Sequence, residues 1–291
     1  MYIRDLLTGE KLSLSFEVFP PKNDTAAESV MNAAREIAAL HPAYLSVTYG
    51  AGGGQSNYTM MMAQQLQEEY DVPTVAHLTC VSSTHETILQ RMAEISAHGI
   101  TNVLALRGDL PAGQAGTDPS SWSYHHAVEL VRELKRFRPD FCIGGACYPE
   151  THPEAADSRE DILHLKEKVD AGCDFLTTQM FFDNSLLYSF LYRIREAGIT
   201  VPVIPGIMPI TNASQLKRAV ELSGSFMPIR FLRLVDRFGS NAEAMKQAGI
   251  IYATDQIIDL YASGIRHVHV YTMNKPDVAA RILDNLSSIL G

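Results

Sequence analysis

Cysteine is scarce in this chain, long apolar runs are missing, and positive charge is in deficit. The four cysteines among 291 residues (Cys80, Cys142, Cys147 and Cys173) show no C-x-x-C spacing. That argues against metal or iron–sulfur ligation and for buried structural thiols in a reducing compartment. No uninterrupted apolar stretch reaches the roughly 18 residues of a membrane-spanning helix. The first ten residues carry Asp5 and Glu10 and lack the apolar core of an export signal, so a cytoplasmic location is expected. Lys and Arg number 24 against 33 Asp and Glu, a net charge of −9. Nucleic acid is therefore not expected as a partner, because proteins that bind it carry a basic face. H-E-x-x-H, G-x-S-x-G and Walker sequences are also missing, which leaves no recognisable metal site and no nucleophile elbow.

What is present is a regular alternation. With 46% hydrophobic and 20% charged residues the chain is globular. Short runs rich in Val, Ile, Phe, Tyr and Thr predict strands at Leu12–Phe19, Ala43–Tyr49, Thr74–Thr79, Asn102–Arg107, Phe141–Tyr148, Phe175–Met180, Val201–Ile207 and His267–Thr272. Amphipathic stretches between them predict helices at 25–40, 57–70, 84–98, 122–137, 158–171, 184–197, 212–222 and 276–290. Gly99, Gly172, Gly198 and Gly264 each stand between a helical pattern and a strand, the place of a left-handed cap. Strands that each precede a helix imply a parallel sheet. The count and length favour an α/β fold closed as a (β/α)8 TIM barrel, a single domain over 1–291 with extra helices at about 227–262 before strand eight.

In such a barrel, chemistry belongs at the C-terminal strand ends. Those ends carry Glu17, Thr48-Tyr49, His77, Arg107-Gly108-Asp109, Tyr148 to His152, Gln179 and Tyr271. Glu17 lies among apolar residues before Pro20-Pro21, a setting that keeps a carboxylic acid protonated near neutral pH. The glycine run Gly50 to Gly54 lacks the third glycine of a dinucleotide fingerprint, and no acidic residue ends the next strand. Backbone lining a flat ligand is the better account. Scattered polar groups at one mouth, without metal or nucleophile, suggest an organic cofactor.

Several segments resemble the methylenetetrahydrofolate reductase family: Ser15-Phe-Glu-Val-Phe-Pro-Pro21, Leu45-Ser-Val-Thr-Tyr-Gly-Ala51, Ala76-His-Leu-Thr-Cys80, Leu106-Arg-Gly-Asp-Leu-Pro111, Tyr148-Pro-Glu-Thr-His-Pro-Glu154, Thr178-Gln-Met-Phe-Phe-Asp183 and Tyr271-Thr-Met-Asn274. They occur in the family's order across nearly the whole chain, and the length matches the short bacterial form without a regulatory domain. The resemblance implies an FAD-containing barrel that reduces 5,10-methylenetetrahydrofolate to 5-methyltetrahydrofolate in ping-pong fashion. NADH is favoured over NADPH as electron donor. Glu17 would be the general acid, protonating N5 and opening the five-membered ring to an iminium cation. Asp109 would stabilise that cation, Gln179 would orient the pterin, and Gln215, Tyr271 and Lys275 would line the folate side. FAD would be held by Thr48, Tyr49, Ala51, His77, Arg107, Gly108, Asp109, His125, Tyr148, His152 and Ala155, with Asp161, His164 and Lys168 on one helical face. Arg107, Lys168 and Lys275 would make the mouth locally positive despite the acidic chain.

Two positions depart from the family pattern. Lys275 stands where an arginine often follows the Tyr-Thr-x-Asn motif, keeping charge but losing bidentate geometry. Ala219 stands where a larger apolar residue can pack on the folate. The resemblance also implies a homo-oligomer, a tetramer in many bacterial members, and leaves open a partner subunit that delivers electrons. The rival readings are another FAD barrel oxidoreductase acting on an amine such as proline, and a non-catalytic flavin- or folate-binding subunit. The first predicts paired arginines near strand eight, where this chain offers Lys275 alone; intact Glu17, Asp109 and Gln179 argue against the second.

Overall fold

Alternation along the first strand decides where its side chains go. In β1 (Ser13–Val18), Leu14, Phe16 and Val18 join the core shared with the surrounding helices, while Ser15 and Glu17 are buried on the opposite face. Successive residues of a strand point to opposite sides, so the second set faces the barrel interior. The computed structural model describes residues 1–21, 23–49, 56–109 and 122–290. The glycine run 50–54, and with it Ala51, lies outside the described residues, as does the loop 110–121.

β2 (Leu45–Val47), β3 (Thr74–Thr79), β4 (Asn102–Leu106), β5 (Cys142–Cys147) and β6 (Phe175–Thr178) follow, each parallel to its neighbour. The predicted strand Val201–Ile207 is broken at Pro205 into β7 (Val203–Ile204) and β8 (Gly206–Ile207). Proline has no N–H to give to a ladder. β7 pairs with β6, whereas β8 pairs with β9 (His267–Tyr271), and β9 lies parallel to β1 with Tyr271 opposite Glu17. The kinked seventh strand thus brings nine parallel segments round into a nearly closed (β/α)8 barrel.

Helices α2 (Asp24–Ala38), α3 (Ser56–Tyr70), α4 (His85–Ala97), α5 (Ala127–Phe137), α6 (Ser158–Asp170), α7 (Asn184–Glu196) and α8 (Ala213–Ser223) lie in the crossovers, and α11 (Pro276–Leu290) follows the last strand. All four glycines expected to close helices have positive φ. The fourth predicted crossover helix starts five residues later than expected, because the Glu129 carboxylate accepts the backbone N–H groups of His125 and His126 at 2.5 and 2.9 Å and fixes the start there. The extra region resolves into α9 (Ile229–Phe238) and α10 (Ala242–Ala262). Their inner faces, with Phe231, Met245 and Tyr252, pack on Phe182, Met208, Ile210 and Ala219 beside the mouth.

A short helix not legible in the sequence, α1 (Ile3–Leu6), closes the far end. Asn102 accepts the Ile3 N–H at 2.9 Å and donates to the carbonyls of Met1 and Thr74 at 3.1 Å each. Ile3 is fully buried, worth roughly 1.5–3 kcal/mol. All four cysteines are buried and unbridged, and burial pushes the Cys80, Cys147 and Cys173 thiols up to about 12. Among the described residues no helix is long and apolar enough to cross a membrane, and no group of His, Cys, Asp and Glu could hold a metal.

The crossing of α10 over the segment after β8 is tight. A Cβ on Gly249 would stand 1.8 Å from the Ile210 carbonyl oxygen, and overpacking of this kind costs about 1–3 kcal/mol or more. Gly249→Ala is expected to lower Tm in a thermal scan by roughly 2–4 °C per kcal/mol. An unchanged Tm would contradict the close approach.

Candidate active site

The barrel interior changes character along its axis. Toward α1 it is filled by Ile3, Tyr44, Val75, Leu104, Cys142, Phe175 and Ile204. Above that layer come the buried polar residues Ser15, Glu17, Ser46, His77, Thr177 and His269. His269 is satisfied at both ring nitrogens, Nδ1 with Ser15 Oγ at 2.8 Å and Nε2 with Ser46 Oγ at 3.0 Å, and it stacks on Tyr44. Burial lowers its pKa to about 3, so the ring is neutral. Between these groups lies a cavity of about 20 Å³ bounded by Glu17, Tyr44, Ser46, Thr177, His269 and Tyr271, large enough for a water molecule with polar partners.

Glu17 is 8% exposed. Burial raises its pKa to about 8, with no cation among the described residues to offset it. Its closest basic neighbour is His77, whose Nε2 lies 3.8 Å from Oε2. That approach is not an ion pair at neutral pH, because burial lowers His77 to about 3 while Glu17 keeps its proton. His77 Nε2 is buried with no hydrogen-bond partner among the described residues, a cost of about 1–3 kcal/mol that a bound ligand would relieve. Tyr271 donates its hydroxyl to the Thr178 carbonyl at 2.6 Å, which leaves its ring, not its O–H, for a ligand.

Above Glu17 the C-terminal strand ends open into a cleft of about 1360 Å³. Small-molecule sites usually run to about 300–1,000 Å³, so this one has room for two ligands at once. Gly108, at φ 87°, is part of its wall, and a Cβ there would meet Thr79 Cβ at 2.8 Å. Glycine is therefore required at this strand end, where any side chain would collide with Thr79 and Val81 and would have to adopt a left-handed φ.

Comparison with known proteins decides the family. The profile described as Methylenetetrahydrofolate reductase matches residues 2–287. The 5,10-methylenetetrahydrofolate reductase of Escherichia coli (strain K12) is 33% identical over 276 residues, covering 95% of this chain and 91% of the relative. This chain belongs to the methylenetetrahydrofolate reductase family. Methylenetetrahydrofolate reductase (NADH) 1 of Zea mays is 35% identical over 289 residues, 96% of this chain but 49% of the relative. The chain thus spans about half the length of such plant members. A Clostridium thermocellum protein that binds two copies of 5-methyl-5,6,7,8-tetrahydrofolic acid superposes with a TM-score of 0.65 at 13% identity, over 99% of this chain and 96% of that one. At that identity the likeness concerns the fold.

Most residues expected at a methylenetetrahydrofolate reductase site line this cleft. Glu17, Thr48, Tyr49, His77, Arg107, Gly108 and Asp109 come from the first four strand ends. Tyr148, His152 and Ala155 come from the loop after β5, Asp161, His164 and Lys168 from α6, and Gln179, Gln215 and Tyr271 from the opposite side. Lys275 and His125 do not line it. Lys275 donates to Thr211 Oγ1 at 2.7 Å, and Thr211 in turn donates its backbone N–H to Gln215 Oε1 at 2.8 Å. It therefore braces the start of α8, where the Gln215 amide oxygen is taken up by Thr211 and Asn212. His126, one residue on, lines the cleft in place of His125. Ala219, also in the lining, is 2% exposed and packs in the cluster with Phe182 and Phe231.

The expected positive mouth is not found among the described residues. Arg91, Arg107 and Lys168 face the cleft together with Asp109, Glu154, Asp161 and Glu167. The Arg107 guanidinium is forked on the Glu154 carboxylate, Nη2 to Oε1 at 2.7 Å, and Lys168 Nζ is bonded to the Ala146 carbonyl. Asp161 accepts the His152 N–H at 3.0 Å and so shapes the loop. Ser82, Ser83, Thr84, Thr87 and Arg91 also line the cleft, and no motif in the sequence marks them. Their position after a barrel strand was the available signal.

The raised pKa of Glu17 has a thermodynamic consequence. Its folded value, about 8, exceeds the ordinary value of 4.5, so the folded state holds its proton more tightly. The associated stability is complete below the unfolded pKa and is lost as pH rises through the folded one. In urea titrations from pH 5 to 9, the stability of Glu17→Gln relative to wild type is expected to rise up to about pH 8 and to level off above it, where the carboxyl is ionised in both states. A difference independent of pH would show that Glu17 titrates normally.

Proposed function

We propose that this protein is an FAD-dependent reductase that converts 5,10-methylenetetrahydrofolate to 5-methyltetrahydrofolate with NADH, the two ligands using one cleft in turn. The observation that carries this reading is Glu17, a carboxylic acid kept protonated by burial at the floor of a cleft with room for cofactor and substrate. NADH is supported by the names of the plant relatives, and the folate by the family and by the ligand of the Clostridium thermocellum protein.

The residues fit a flavin. Arg107 and Lys168 would hold its diphosphate, with Glu154 giving way at Arg107. Thr48, Tyr49, Tyr148, His152, Ala155, Asp161 and His164 would line it, and His77 Nε2 would gain the partner it lacks. FAD, when bound, accepts hydride from NADH and supplies it to the one-carbon unit of the folate. A hydride acceptor must be electron-poor, so the five-membered ring has to open first. The product keeps its methyl group on N5, so the bond that breaks is the one to N10. The proton from Glu17 therefore goes to N10, not to N5 as the family resemblance had suggested. Breaking that bond leaves an N5 iminium cation, which needs a facing anion. Asp109, exposed at the rim, would supply its carboxylate there. Gln179, hydrogen-bonded to Tyr148 and accepting the Met180 N–H at 2.9 Å, is held in place to orient the pterin.

The purified protein is expected to be yellow, to bleach anaerobically with NADH, and to regain colour with methylenetetrahydrofolate. A colourless protein that takes up no FAD and does not turn over would overturn the assignment. In stopped flow, Glu17→Gln should keep flavin reduction by NADH and lose folate reduction, and Asp109→Asn should slow the folate step more than it weakens FAD binding. The wild-type folate step should lose rate as pH rises past about 8, because the acid form is the donor. Parallel loss of both half-reactions in Glu17→Gln would indicate a merely structural group.

A further inference from the structure

The loop after β5 contains a second carboxyl that does not line the cleft. Glu150 accepts the backbone N–H of Phe226 on Oε2 at 2.7 Å, while its Oε1 is buried with no hydrogen-bond partner among the described residues. Burial, with Asp183 adding to it, pushes this carboxyl above the usual carboxylate range. Thr151, the next residue, has φ 157°, a conformation that costs a β-branched residue about 1–3 kcal/mol and persists only where neighbours impose it. A carboxyl oxygen left without a partner is unfavourable, and the Glu150 carboxyl makes one backbone contact in return.

That contact joins the two walls of the cleft. Phe226 follows the left-handed cap of α8 at Gly224, and Ser225 donates its hydroxyl to the Met180 carbonyl at the end of β6 at 2.9 Å. α8 carries Gln215 and Ala219 into the cleft, whereas the loop that holds Glu150 carries Tyr148 and His152. The start of α8 is fixed by Asn212 and Gln215; its end is fixed here. We propose that Glu150 is a positioning residue, a latch that sets the folate-facing helix α8 at a fixed distance from the flavin-facing loop after β5. This rests on the reading of the cleft as a shared flavin and folate site. The latch leaves the flavin side unchanged and acts on the substrate that α8 touches.

The test uses FAD-loaded protein and two readouts. Hydrogen exchange of the peptide spanning 224–230, measured without folate, reads the latch itself. Separate reductive and oxidative half-reactions, with the KM for methylenetetrahydrofolate, read its effect. Glu150→Ala is expected to speed exchange and to raise the folate KM about three- to tenfold, the range set by one lost hydrogen bond. Flavin reduction by NADH and kcat should stay within about twofold. Glu150→Gln keeps an oxygen for the Phe226 N–H and should restore both readouts. Ser225→Ala, which releases the neighbouring anchor, should shift them in the same direction and serves if Glu150→Ala does not fold. Unchanged exchange, unchanged KM, or an equal fall in both half-reactions would each overturn the proposal. Wild-type protein that reduces no folate would overturn the functional reading instead, and the exchange result would still decide whether the latch exists.

Discussion

A carboxyl buried without a cation must keep its proton, and the upper half of this barrel is arranged so that Glu17 meets that condition. Among the described residues, the two buried imidazoles of the barrel interior are themselves held neutral: burial lowers both His77 and His269 to about 3. The hydroxyls of Ser15 and Ser46 satisfy the second imidazole without adding charge. Arg107 and Lys168 belong to the same cleft, but each is tied to another group, Glu154 or the Ala146 carbonyl. Had either reached Glu17, the acid would have become an ordinary carboxylate. Withholding cations from one oxygen pair is what divides the site into a proton-donating floor and a charged rim.

The architecture was largely legible in the sequence because it rests on local periodicity. The β1 run from Ser13 to Val18 alternates polar and apolar residues, and its inward set is the functional one. The same rule places His77 on β3 and His269 and Tyr271 on β9. What could not be read depends on contacts between distant segments. Pro205 signals a break in strand seven, but not that the two halves would pair with different neighbours. Lys275 follows the Tyr-Thr-Met-Asn motif and still turns away from the cleft, because Thr211, sixty-four positions earlier, offers its hydroxyl. The local charge failed for the same reason: Arg107 counts as a cation in the sequence, whereas in the fold Glu154 shares it.

The helices added before the last strand show how a barrel acquires a deep mouth. α9 and α10 do not themselves contribute to the lining. They back α8 with Phe231, Met245 and Tyr252, and Tyr252 reaches past them to donate to the Phe182 carbonyl at 2.7 Å. Ala219 is small because Phe182 and Phe231 already fill the space behind it. Apolar mass supplied by a side chain toward a ligand can equally be supplied by a helix behind a smaller one.

The pairing of β1 with β9 also fixes when the acid comes into being. Ser15 and His269 are separated by 254 positions, and the register puts Tyr271 beside Glu17. A ribosome delivers β1 long before β9. Until β9 pairs with it, β1 has one open edge, and Glu17 is wet and ionised like any surface glutamate. Only when the final strand docks is water expelled and the proton captured. Contacts this remote in sequence form slowly, so the chemical identity of this residue is a late product of folding. It also makes a sensitive reporter of whether the ring has closed.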